Sequence, residues 1–124
     1  MSFAAHVHRY LSEVAIVSGA KKIGIEPDTP DDVITFFDTG GGAADTDQMD
    51  IFRPAMQVRV RSKDYAVGFA KQREIRKALL NARFQFDGVM YLGIQLTSDI
   101  AFLQQDERNR YQFVASYEAI TQEE

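Results

Sequence analysis

The sequence predicts an α+β fold, a mostly antiparallel sheet of about four strands with two helices packed on one face. Two segments place apolar residues at three- and four-residue spacing, which is typical of amphipathic helices. Four other segments alternate or concentrate β-branched and aromatic residues as strands do, giving the order α-β-β-α-β-β. The 124 residues, 45% of them hydrophobic, match one compact domain over residues 1–124.

The first half of the chain supplies one helix and one strand. A helix is predicted over residues 2–18, with Ser2 as its N-cap. Residues 19–32 contain glycine and two prolines and are predicted to form a connecting loop. VITFFD, residues 33–38, is predicted to be a strand covered on both faces. Residues 39–54 contain three consecutive glycines and several acids, and we expect a long mobile loop there.

In the middle of the chain, a segment in which apolar and polar residues alternate strictly is followed by a predicted helix. In MQVRVRS, residues 56–62, the apolar side chains face one way, whereas Arg59 and Arg61 face the other. Asp64 is placed to cap a second amphipathic helix over residues 65–82.

The last third predicts a hairpin and two strands. Asp87-Gly88 is a hairpin signal between FQF and VMYLGIQLTS. Residues 99–108 are predicted to be a connection, and residues 109–121 the final strand. The side chains predicted to face the core are Met90, Leu92, Ile94 and Leu96 in the third strand and Tyr111, Phe113, Ala115, Tyr117 and Ala119 in the last.

Motifs for metal binding or catalysis are weak. The chain has no cysteine, which excludes disulfides, thiolate zinc sites and cysteine nucleophiles. His6 and His8 point to different sides of the predicted helix, so they cannot easily bind one metal. DTDQMD, residues 45–50, lacks the later ligands and the glycine of a calcium loop, and TGGGAAD lacks the ending of a phosphate-binding loop. We expect no metal, no cofactor and no enzymatic activity.

Charge is divided unevenly along the chain. The net charge is −4, yet residues 53–83 carry nine Lys/Arg and two acids, a local +7 against −11 for the remainder. The basic segment could be a solvated face, a protein interface or a nucleic-acid surface. Nucleic-acid binding would call for aromatic side chains among the exposed charges, and these are missing. Segregated charge in an acidic protein favours protein partners. No leader and no membrane-spanning run is evident, so we expect neither export nor membrane insertion.

One block of the sequence is similar to a known family. PAMQVRVRSKDYAVGFAKQREIRKALL, residues 54–80, resembles the minor capsid and tail-terminator proteins of long-tailed bacteriophages. The segments VITFFDTGG, YLGIQLTSD, FLQQDERNR and YQFVASYEAI resemble the family in the same order. The chain departs from it in lacking a proline after Ser98 and in a longer, more acidic loop over residues 39–53.

The resemblance implies a structural virion protein. Such proteins form a homo-oligomeric ring, usually a hexamer, at the head-proximal end of the tail tube, where the ring stops tube polymerisation and offers a surface for head docking. The implied partners are other copies of the chain, the tail tube protein and a head–tail connector or neck protein, with nucleic acid only nearby in the channel. The implied location is the tail–neck region, after synthesis in the host cytoplasm. Two alternatives remain: another neck protein, such as a head-completion protein or connector adaptor, or a nucleic-acid-binding regulator.

A closed ring needs two different patches on each subunit, one meeting the other on the next copy. We predict three groups of residues that contact subunits or partners. The first is a basic surface of Arg59, Arg61, Arg73 and Arg76; the second is the glycine-rich acidic loop with Gly40, Gly41, Gly42, Asp45, Asp47 and Asp50; the third is the polar connection with Gln104, Asp106, Glu107, Arg108 and Arg110.

Overall fold

The computed structural model describes residues 2–42 and 50–123. The elements in chain order are α1 (Phe3–Glu13), β1 (Lys21–Ile23), β2 (Val33–Gly42), β3 (Ile51–Ser62), α2 (Tyr65–Leu79), β4 (Phe84–Phe86), β5 (Val89–Gln105) and β6 (Tyr111–Glu123). One six-stranded sheet has the order β1-β2-β3-β6-β5-β4. Pairing is parallel between β1 and β2 and antiparallel elsewhere. The predicted sheet of about four strands is therefore wrong: the sheet has six strands and is mixed.

The two extra strands are short. β1 lies in the glycine- and proline-rich segment that was predicted to be a loop, and β4 is the FQF segment of the hairpin; each has three residues. Three residues give too little alternation to indicate a strand by themselves. Both strands form because a longer neighbour already presents an open edge, β2 for β1 and β5 for β4.

The two helices begin where the sequence predicts. The Ser2 side chain accepts a hydrogen bond from the Ala5 N–H at 3.1 Å, and the Asp64 side chain accepts one from the Val67 N–H at 3.1 Å. Both predicted N-caps are confirmed. The helices end earlier than predicted, α1 at Glu13 and α2 at Leu79.

Both helices pack against one face of the sheet, and the core lies between. Its fully buried members include Val7, Leu11, Phe36, Met56, Val58, Ile75, Leu79, Tyr117 and Ala119. The buried Gln72 amide of α2 donates to the backbone carbonyls of Val58 at 2.9 Å and Phe113 at 3.1 Å, so it joins the helix to two neighbouring strands. We call the opposite side of the sheet the outer face.

β5 differs from its predicted pattern. The hairpin before it is confirmed, with Asp87 and Gly88 both in the left-handed region at φ 52° and 77°, as a tight two-residue turn requires. The register then shifts between Tyr91 and Gly93, which changes the side that faces the core. Ile94 is buried and Leu96 packs on the core, as predicted. Before the shift the prediction is wrong: Tyr91 is buried, whereas Met90 and Leu92 are exposed. β5 continues to Gln105, so most of the predicted connection is strand.

Candidate assembly surfaces

Arg61 is buried on the outer face of the sheet. Its side chain is 3% exposed and donates hydrogen bonds to the backbone carbonyls of Pro30 at 2.7 Å and Asp31 at 3.1 Å. One guanidinium nitrogen also lies 3.4 Å from the Glu26 carboxylate. Alternation along β3 directs Arg61 away from the core, and the segment between β1 and β2 covers it there. Arg61 thus holds this segment against the sheet and is not available to a partner.

Arg110, directly before β6, also binds the segment between β1 and β2. It is 4% exposed, donates to the Asp28 backbone carbonyl at 2.6 Å and forms an ion pair with Asp106 at 2.8 Å. Weaker pairs to the carboxylates of Asp28 and Asp31 lie at 3.4 Å. The neighbouring Gln112 amide donates to the Glu26 carboxylate at 2.9 Å. We name Arg61, Arg110 and Gln112 with Glu26, Asp28, Asp31 and Asp106 the internal clamp.

Asp106 organises the turn between β5 and β6. Its carboxylate accepts the backbone N–H groups of Arg108 and Arg110, each at 3.0 Å, besides the Arg110 side chain. Burial by itself would raise the pKa of Asp106, but the hydrogen bonds from Arg110 and Arg108 outweigh burial and hold that pKa below its usual value. The turn is therefore structurally fixed and contains Asn109 at φ 60°.

Other residues of this predicted group lie on the surface. Gln104 is exposed and donates to the Gln112 side chain at 2.9 Å, and Arg108 pairs with Asp28 at 2.9 Å. Glu107 is exposed. The structure thus brings Gln104, Glu107 and Arg108 to one exposed tip, whereas Asp106 and Arg110 serve the fold.

Arg59 and α2 lie on opposite sides of the sheet. Arg59 sits on the outer face, where its guanidinium lies 5.3 Å from the centre of the Phe37 ring and its Nε donates to Gln57 at 3.0 Å. Its neighbours Val58 and Val60 point into the core that α2 covers. The predicted basic surface is consequently divided in two, with Arg59 on one side and the helix residues on the other.

The exposed side of α2 carries the remaining predicted basic residues. Arg76 pairs with Asp99 at 2.7 Å, and Lys71 pairs with Glu74 at 3.0 Å. Arg73 and Lys77, four residues apart, are exposed. Among the described residues neither has an acidic partner within ion-pair distance. We name Arg73 and Lys77 the free basic pair.

The glycines of the predicted loop belong mostly to the sheet. Gly40, Gly41 and Gly42 are in β2, and Gly42 pairs with Arg53 across an irregularity in the register. A Cβ on Gly41 would overlap the carbonyl oxygen of Arg53 and lie 2.9 Å from the Pro54 Cα, so only glycine fits there. Asp50 is exposed and accepts a hydrogen bond from Gln122 at 2.9 Å. Asp45 and Asp47 lie outside the described residues.

One buried polar cluster was missed by sequence reasoning. The two His6 ring nitrogens lie 2.6 Å from the Tyr91 hydroxyl and 3.0 Å from the Asp87 carboxylate. Burial raises the pKa of Tyr91, so the hydroxyl stays protonated. The cluster joins α1 to the β4–β5 hairpin. Within residues 2–42 and 50–123, no group of three or more histidine or acidic side chains is arranged to hold a metal.

Comparison with known proteins decides the family. The profile of a family described as bacteriophage tail terminator protein matches residues 11–123. The chain belongs to this family. This tail terminator is therefore a structural protein of the phage virion tail, as the resemblance implied, and both the predicted function and the predicted location are confirmed. In the described part of the chain, the helices are too short or too polar to cross a membrane.

Solved structures show the same fold. Nine chains match this tail terminator in structure. One belongs to a structure titled "Virion of native gene transfer agent (GTA) particle"; the superposition has a TM-score of 0.67 at 13% identity and covers 98% of this chain and 95% of that chain. At so low an identity the likeness shows the fold alone. A search among curated protein sequences found no match.

Proposed function

We propose that this tail terminator acts as a closed ring, a hexamer by family resemblance, on the head-proximal end of the tail tube. There it stops tube polymerisation and offers the surface on which the head connector docks. Its partners are further copies of the chain, the tube protein and a connector or neck protein. The likeness to a chain of a virion particle supports assembly with other tail or neck components.

The observation that carries the proposed partner contact is the free basic pair. Like charges four residues apart repel each other on a helix, by roughly 0.2–0.5 kcal/mol. Lys77 lies in the last turn, where a cation is favourable at the negative end of the helix dipole. Arg73 lies farther from that end and gains little from the dipole. An acidic surface on a partner would reduce this repulsion and would pair with Arg73.

Charge segregation agrees with such a contact. The part of the chain outside residues 53–83 has a net charge of −11, which supplies acidic surface on each copy. Complementary faces of opposite sign orient subunits and speed their encounter. The further residues proposed to face partners are Arg59 on the outer face, Arg76 on α2, Gln104, Glu107 and Arg108 at the β5–β6 tip, and Asp45, Asp47 and Asp50 after β2.

Removal of the protein from the assembling phage tests the function as a whole. We expect electron micrographs to show headless tails longer than normal, because tube growth is no longer stopped. Heads without tails, accompanied by tails of normal length, would contradict capping and would assign the protein to the head side of the neck.

Charge reversal tests the basic contact separately. Arg73→Glu with Lys77→Glu should weaken partner binding by roughly tenfold or more and should lower the fraction of capped tails. The free energy of unfolding should fall by no more than about 1 kcal/mol, because both residues are exposed and only Lys77→Glu opposes the helix dipole. The control is Arg83→Glu, compared with Arg73→Glu alone, since each changes the net charge equally at one exposed position. Equal capping by these two single variants would refute this contact.

A further inference from the structure

Two groups of exposed large apolar side chains stand out on the surface. Among the described residues, the segment that ends α1 and forms β1 exposes Val14, Ile16, Ile23 and Ile25, with Ile25 75% exposed. We call these four the β1-side patch. The second group contains Phe102 and Leu103 of β5 together with Tyr65, whose ring lies 5.8 Å from Phe102. We call these three the β5-side patch. Apolar groups exposed together in this way often mark contact surfaces.

The two patches lie at opposite ends of the strand order. β1 pairs only with β2, so its other edge is open among the described residues. β4 pairs with β5 only over Val89–Tyr91. Beyond it the Asn81 N–H donates to the Ile94 carbonyl at 3.4 Å, and among the described residues no strand pairs with the rest of β5 on that side. Each copy therefore has two different, partly apolar edges. Such unlike edges can be complementary to each other but not to themselves, as a head-to-tail contact requires.

The two edges lie at the same height along the strands and run in opposite directions. The register connects Lys21 to Ile34, Ile34 to Val60, Val60 to Phe113 and Phe113 to Phe102. β1 runs with β2 and β6, whereas β5 runs with β3. Consider a second copy that is related to the first by a rotation about an axis parallel to the strands, so that its strands point the same way. Its β1 would then lie beside β5 of the first copy, at the level of Phe102.

Charge at the two edges is complementary. β1 carries Lys21 and Lys22, and Lys22 is exposed. Asp99 is the charged residue of β5; it pairs with Arg76, yet its side chain stays 65% exposed, and the exposed Glu107 follows the strand. Opposite charges around an apolar contact favour the correct pairing of two edges and disfavour the pairing of like edges.

We propose that the β5-side patch of one copy docks on the β1-side patch of a second copy. The contact is made by side chains and not by a continuous backbone ladder, because the pairing of β5 with β6 shifts register at four places, and such bulges prevent regular pairing on the open edge. This assignment rests on the proposed ring, whose repeating subunit contact it names.

Crosslinking tests the contact, since the chain has no cysteine of its own. Ile23→Cys and Leu103→Cys change one exposed residue in each patch. In virions assembled with the double variant, a flexible bifunctional thiol reagent should give a ladder of covalent oligomers. Virions assembled with a mixture of the two single variants should give dimers, and each single variant alone should give monomers. Gln85→Cys with Leu103→Cys is the control pair, since Gln85 is exposed on β4, outside both patches.

Two outcomes would overturn the proposal. Crosslinked dimers from Leu103→Cys alone would overturn the proposal, because like edges would then meet. Monomers from the double variant in tails of normal length would also overturn it, while leaving the proposed capping function intact. Overlong tails in the absence of the wild-type protein test that function independently. If the first pair disturbs assembly, Ile25→Cys with Phe102→Cys tests the same contact with the same expected products.

Discussion

Two pairs of basic residues that look alike in the sequence have opposite uses in the fold. Arg61 and Arg110 are 3% and 4% exposed, and their side chains are bound to backbone carbonyls and acids of their own chain. Arg73 and Lys77 stand on the exposed side of α2. Because Arg61 is one of the nine basic residues in residues 53–83, the local charge of +7 overstates what a partner can contact. What separates the pairs is whether another segment of the chain covers the face on which they lie.

The largest difference between the buried arginines and the free basic pair is expected in the free energy of unfolding. Arg110→Ala would leave Asp106 and the Asp28 carbonyl without their shared donor and should lower the free energy of unfolding by about 3 kcal/mol, as is usual when one partner of a buried ion pair is removed. Denaturant titration measures this loss. Arg73→Ala serves as the control and should change the free energy by less than about 0.5 kcal/mol. Equal losses for the two variants would abolish the distinction between clamp and free pair.

The sequence predicted the direction of Arg61 but not its surroundings. Strict alternation in β3 correctly places Arg61 opposite Val58 and Val60. Its burial depends on residues 24–32 folding over the outer face, a contact between segments about 30 residues apart. No local pattern reports such a contact. The acids at Glu26, Asp28 and Asp31 were visible, yet nothing in their spacing matches them to particular arginines.

Local signals predicted local structure well. Ser2, Asp64 and the Asp87-Gly88 turn act through hydrogen bonds or backbone angles of adjacent residues, and all three are confirmed. The core face of β5 was predicted correctly from Ile94 onwards and wrongly at Met90 and Leu92, because one register shift near Leu92 reverses the alternation there. The family resemblance, which uses the whole chain, supplied the function that individual motifs could not supply.

A smaller contrast of the same kind exists between two adjacent glycines. Gly40 has open space where a Cβ would lie, whereas a Cβ on Gly41 would overlap the backbone of Arg53 and Pro54. Gly41→Ala should therefore cost about 1–3 kcal/mol of unfolding free energy. Gly40→Ala, the matched control, should cost less than about 1 kcal/mol. If the glycines served only to keep a loop mobile, the two substitutions would have equal effects on thermal unfolding and on tail capping.

The smallest expected effect is the acid sensitivity of the clamp. Hydrogen bonds from Arg110 and Arg108 hold the pKa of Asp106 below its usual value despite the opposing effect of burial. A carboxylate with a lowered pKa contributes stability that is present above its unfolded pKa, about 3.9, and is lost as the pH falls through the folded value. The free energy of unfolding should thus be nearly constant from neutral pH to about pH 5 and should fall below about pH 4.

Asp106→Asn separates this contribution from that of the other acids. Asp31 and Asp99 also have lowered pKa values, Asp31 chiefly through its hydrogen bond from Lys63 and Asp99 through those from the Ile100 N–H and Arg76. They remain in the variant and keep part of the acid response. The variant should be less stable than the wild type at neutral pH, and its stability should fall less steeply in acid. Parallel pH profiles for the two proteins would mean that Asp106 holds the turn through geometry alone, and that the clamp depends on Arg110 and its backbone acceptors and not on this ion pair.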